Sequence, residues 1–136
     1  MRSFFVHLRD ATEREVTEFL QRTFPFQQGP PWIYEVDGDP CLYIAFYRDR
    51  QMEFESEELV ALSKALGKAP TTSIMADVSG RHAGDDHVRY FIAKILGQYA
   101  GVAQDDYSGH CWTAAEVLSD NKVEGRRFCN FTRASA

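Results

Sequence analysis

Apolar and polar residues alternate at the start of the chain. Phe4, Val6 and Leu8 share one side and Phe5 and His7 the other, which predicts a strand. The period then changes: Asp10 stands three residues ahead of Glu13, as in a capping box, and Val16, Phe19 and Leu20 form a helical stripe. Pro25 and the Gln27 to Pro31 run break the chain. Two strands follow, Trp32 to Val36 and Cys41 to Tyr47, joined by the turn-forming Asp37-Gly38-Asp39-Pro40. Ser56 is placed to cap a second helix, with Glu57 and Glu58 in its first turn, Leu59, Leu62 and Leu66 inward, and Gly67 as terminator. Thr72 to Val78 is a fourth strand. The strongest helical pattern comes next, where Val88, Phe91, Ile92, Ile95, Leu96 and Tyr99 keep the i, i+3, i+4 spacing up to Gly101. Val102-Ala103 starts a short strand, Thr113 caps a helix within Trp112 to Leu118, and Phe128 to Phe131 suits a last strand.

The first six elements run βαββαβ. That order predicts an α+β domain with a ferredoxin-like antiparallel sheet and both helices on one face. The later helix and short strands are then C-terminal additions, and residues 1–136 form one domain.

Composition narrows the partner more than it narrows the chemistry. The hydrophobic share of 44% and charged share of 26% are those of a folded globular chain. A formal charge of −5 disfavours nucleic acid, whose binding depends on cationic neutralisation of phosphates, and favours a basic macromolecule. Cys41, Cys111 and Cys129 contain no CxxC pair and are an odd number, so reduced thiols and a cytoplasmic protein are expected. The apolar run within the first seven residues is too short for a secretion signal, and no stretch is long enough to enter a membrane as a span.

One loop concentrates polar chemistry: Ser79-Gly80-Arg81-His82-Ala83-Gly84-Asp85-Asp86-His87. A hydrolase built on Ser79, His82 and Asp85 is the enzyme alternative, although no GxSxG elbow is present. The structural alternative has the glycines turning the chain and Asp85 and Asp86 complementing the helix dipole. Asp86 and His87 are adjacent and diverge on a helix, as do His110 and Cys111 locally, so no metal is expected. Neither a Walker lysine nor GxGxxG is present, and no cofactor is expected. Phe5, His7, Ile33, Tyr43, Tyr47 and Met75 are predicted on the sheet face away from the helices, with Glu35 and Asp77 among them. An RNA-recognition octapeptide is missing, so cover by the C-terminal segment or by a second copy in a homodimer is expected. A small-molecule site on this face of an oligomeric module is a further alternative.

The last third gathers Gly101-Val102-Ala103-Gln104-Asp105-Asp106-Tyr107 and then Trp112-Thr113-Ala114-Ala115-Glu116. Carboxylates beside Tyr and Trp suit capture of Arg or Lys on a partner, with Asp85 and Asp86 as further acidic candidates. Inward packing of Trp112, with the aspartates in turns, is the structural alternative. The half of the chain from Asp77-Val78-Ser79-Gly80-Arg81 through this segment resembles bacterial immunity proteins, the antitoxins encoded beside polymorphic and contact-dependent-inhibition toxins. The resemblance implies a non-catalytic cytoplasmic protein that binds a cognate toxin domain, a basic nuclease being one kind. Asp105, Asp106, Tyr107, Trp112 and Glu116 would then face the toxin.

Overall fold

In the computed structural model, the residues described are 2–48, 55–80, 85–106, 109–119, 122–123 and 125–129, with the Asp85 side chain left aside. Arg2–Leu8 forms β1, Glu13–Thr23 α1, Trp32–Val36 β2, Asp39–Phe46 β3 and Ser56–Leu66 α2. Thr72–Val78 forms β4, Asp85–Gln98 α3, Gly101–Asp105 β5 and Ala114–Leu118 α4. The protein is α+β, with five antiparallel strands in the order β2-β3-β4-β1-β5.

This order corrects the ferredoxin-like expectation. There β1 would lie between β3 and β4; here β4 lies between β1 and β3, pairing with both. The physical difference lies in the β3–β4 connection. Because β4 returns antiparallel beside β3, α2 need not cross the face occupied by the other helices. Leu62 and Leu66 of α2 instead pack with Val102 and Cys111 in a small separate cluster. Val102 pairs with His7, on the face opposite Phe4, Val6 and Leu8. The helices therefore divide between the two faces.

The main core lies on the other side. Phe4, Val6 and Leu8 of β1, Leu42 and Ile44 of β3, and Ile74, Ala76 and Val78 of β4 meet Val16 and Leu20 of α1 and Val88, Phe91, Ile92 and Ile95 of α3. Strand alternation and the α3 stripe thus behave as their periods require.

Local signals were displaced by a residue or two. Thr12, not Asp10, caps α1: its hydroxyl accepts from Glu15 N at 3.2 Å, while Glu15 accepts from Thr12 N at 3.0 Å. Asp10 instead pairs with Lys68 at 2.9 Å. Glu55, not Ser56, stands at the α2 N-cap, its amide donating to Glu58 at 3.0 Å. Gly67 closes α2 in the left-handed region at φ 84°, as expected. Phe128 and Cys129 occupy a short helical turn rather than a strand, and residues 130–131 lie outside the described set.

Both sheet edges are locally occupied. The Gln27 amide pairs with the Ile33 backbone as a strand would, accepting from Ile33 N at 2.7 Å and donating to Ile33 O at 2.8 Å. On β5, Ala103 and Trp112 exchange two backbone hydrogen bonds of 2.7 and 2.8 Å. Such cover discourages strand addition by another chain. No helix among the described residues is long and apolar enough to cross a membrane.

Gly101 sets how closely β5 approaches β1. A Cβ there would fall 2.4 Å from the His7 carbonyl oxygen and 2.9 Å from Leu8 Cδ2. Gly101→Ala should lower stability by about 2 kcal/mol or more, since a backbone atom must move, as read by urea unfolding. Unchanged stability would contradict the β1–β5 register.

Candidate acidic site and buried polar cluster

Strand alternation separates the two adjacent aspartates. Asp105 ends β5 inward, 6% exposed, and its Oδ2 accepts from Cys129 N at 2.7 Å. It holds the C-terminal segment against the core. Asp106 turns outward, and its Oδ2 accepts from Ser3 N at 2.9 Å. The Ser3 hydroxyl donates to Asp77 Oδ1 at 2.5 Å, and Ser3 and Asp77 are register partners across β1 and β4. Two carboxylates therefore converge on one serine at a strand end. Partial burial raises the Asp106 pKa above the usual 3.8, and the negative charges of Asp105 and Asp77 raise it further against the Ser3 hydrogen bond.

The other expected partner-facing residues are placed differently. Trp112 is 1% exposed and belongs to the core, its ring edge-on to Phe128 at 5.6 Å and to His110 at 5.2 Å. This burial takes it out of a partner's reach in the folded chain. Glu116 closes a capping box on α4, accepting from Thr113 N at 2.9 Å, while Thr113 Oγ1 accepts from Glu116 N at 3.1 Å. His110 Nε2 lies 3.1 Å from the same carboxylate. The Thr113 amide holds the Glu116 pKa below its ordinary value, with His110 assisting against partial burial. Asp86 is exposed on the first turn of α3, 3.7 Å from Arg89. Asp85 begins α3, and Tyr107 lies outside the described residues.

In the enzyme alternative, only Ser79 is fully placed. It is buried, with its amide donating to Cys41 O at 2.8 Å. Arg81 and His82 lie outside the described residues. Among the described residues no group of three or more His, Cys, Asp or Glu is arranged to hold a metal ion.

A second polar cluster went unnoticed in the sequence. His7 is fully buried, with Nδ1 2.7 Å from Ser73 Oγ and Nε2 2.8 Å from Gln104 Oε1. Gln104 Nε2 faces Gly109 O at 3.5 Å and Cys111 Sγ at 3.7 Å. With Gln104 oxygen as acceptor, Nε2 carries the imidazole proton and the Ser73 hydroxyl donates to Nδ1. Both ring nitrogens thereby have protein partners. The row links β4, β1 and β5 and resists register slip, because each member has its partner only in this pairing. Burial raises the Cys111 thiol pKa, which opposes nucleophilic use. Phe5, Ile33, Tyr43 and Met75 share this face half-buried, as alternation predicted. Glu35 does not join them: a register shift between Tyr34 and Glu35 accompanies its place in a groove with Tyr34 beside the helices.

Compared with protein-family models, with curated proteins and with solved structures, the chain matches none.

Removing the two inward groups should cost stability. Asp105→Ala strands the Cys129 amide and should lose about 1–3 kcal/mol, and Trp112→Ala about 3–5 kcal/mol, in chemical denaturation. A Trp112→Ala protein as stable as the parent would contradict its core placement.

Asp106→Asn should act in the opposite direction. A raised folded pKa means that ionised Asp106 disfavours the folded state. That penalty is absent below pH 3.8, sets in as pH rises through this unfolded value, and is complete above the raised folded value. The amide oxygen can still accept from Ser3. Melting curves should show the variant more stable at pH 7, with the gain disappearing in acid. Equal melting temperatures at both pH values would contradict the raised Asp106 pKa.

Proposed function

We propose that the protein is an immunity-type antitoxin that binds a basic toxin domain and acts by occupying it. The observation that carries this reading is the convergence of Asp106 and Asp77 on Ser3, where burial and neighbouring negative charge keep the Asp106 carboxylate under strain. An arginine or lysine from a partner would relieve that repulsion and complete the hydrogen bonding of the carboxylates. The net charge of −5 adds long-range attraction in the same direction. Resemblance of the Asp77–Glu116 region to immunity proteins supplies the class of partner.

The interface proposed is narrower than the sequence implied. It rests on Asp106 and Asp77, with Asp86 as an outlying exposed carboxylate. Asp105, Trp112 and Glu116 support it from behind, through the Cys129 contact, the core and the α4 cap. Localisation in the cytoplasm belongs to the same proposal, since an antitoxin of this kind protects the cell that makes it.

The test is binding to the toxin-domain candidate encoded beside this gene, measured by surface-immobilised kinetics at two salt concentrations. The parent protein should bind with an association rate that falls as salt rises. Asp77→Asn combined with Asp106→Asn should slow association and flatten that salt dependence, while the dissociation rate changes little. No binding by the folded parent, or unchanged association by the double variant, overturns the proposal.

A further inference from the structure

Away from the acidic strand end, a groove opens between the C-terminal half of α1, the outer turns of α3 and β2, with a volume of about 510 Å³. This lies within the roughly 300–1,000 Å³ of small-ligand sites. Its exposed lining is more polar than apolar, with Arg22, Thr23, Glu35, Lys94 and Gln98 around the half-buried Tyr34 and the exposed Tyr90. Phe24 stands edge-on to Tyr34 at 5.8 Å, and Tyr34 edge-on to Tyr90 at 6.1 Å. Arg22 enters from the last turn of α1, and Lys94 Nζ lies 5.6 Å from the Tyr90 ring centroid. Among the described residues, neither cation forms an ion pair, although Glu35 lines the same groove.

We infer that this groove binds a small aromatic monoanion, its ring against Tyr34 and Tyr90 and its carboxylate between Arg22 and Lys94. The charges select the class. Two cations and one carboxylate leave a single positive charge, which matches one carboxylate better than a doubly charged phosphate ester. The edge-on rings offer positive hydrogens and apolar faces to a further ring. Arg22 offers a planar fork suited to bidentate carboxylate binding, and Lys94 a point charge. A quaternary ammonium ligand, the other common guest of aromatic cages, would be repelled by both cations.

The inference is independent of the toxin proposal, since the groove contains neither Asp77 nor Asp106. Nuclear magnetic resonance titrations of the folded full chain with benzoate, benzamide and inorganic phosphate provide the test. Benzoate should give saturable shifts at the amides of Arg22, Tyr34 and Tyr90 at low-millimolar concentration. Benzamide and phosphate should each bind at least tenfold more weakly, because each lacks one of the two recognised features. Arg22→Gln with Lys94→Gln, both on exposed positions and checked for an unchanged fold, should weaken benzoate at least tenfold. Glu35→Gln should strengthen it by removing the opposing charge. Absence of saturable benzoate shifts, equal affinity for benzamide or phosphate, or an unaltered response in the double variant overturns the inference.

Discussion

The antiparallel pairing of β1, with β4 on one side and β5 on the other, is the constraint on which the rest of the structure depends. Its inward residues Phe4, Val6 and Leu8 are fully buried beneath α1 and α3. Its outward residues organise both polar clusters. Ser3 opposite Asp77 brings the hydroxyl to one carboxylate while its amide reaches Asp106. His7 opposite Ser73, with Gln104 diagonal to it, completes the buried row. A one-residue slip of β1 would turn Phe4, Val6 and Leu8 outward and dissolve both clusters together.

Element types were legible because each rests on local periodicity. The α3 stripe and the β1 alternation have no competing explanation, and the structure follows both. Helix starts were less legible because overlapping patterns compete. Asp10-x-x-Glu13 and Thr12-x-x-Glu15 both satisfy a capping box; in the structure Thr12 forms it and Asp10 pairs with Lys68 from another part of the chain. Strand order lay further out of reach. Whether β4 sits outside β1 or between β1 and β3 changes no local pattern, since its inward residues are apolar in either position. Pairing with both neighbours decides it.

The site was partly legible for the same reason. Asp105 and Asp106 form one acidic patch in the sequence, but a strand's period of two sends them opposite ways. One becomes an acceptor for Cys129, the other stays at the surface. Trp112, read as a candidate anchor beside them, is drawn inward by its backbone bridge to Ala103 and its contact with Phe128. The groove of Arg22 and Lys94 has no local signature. It exists only because α1 and α3 pack side by side over β2, and its charges come from segments far apart in the chain.

The two charged surfaces lie toward opposite edges of the sheet, and that separation matters. Three strand spacings from β2 to β1 amount to about 14 Å, against a screening length of about 8 Å at physiological salt. The cations of the groove therefore do little to neutralise Asp106, while Asp77 on β4, two spacings from β2, is less well separated from them. Strand addition is discouraged at Ile33 by Gln27 and at Ala103 by Trp112. With main-chain pairing blocked at those points, a partner would have to be met by side chains. On the proposed reading, the charge at Asp106 would serve binding at a cost to the folded state.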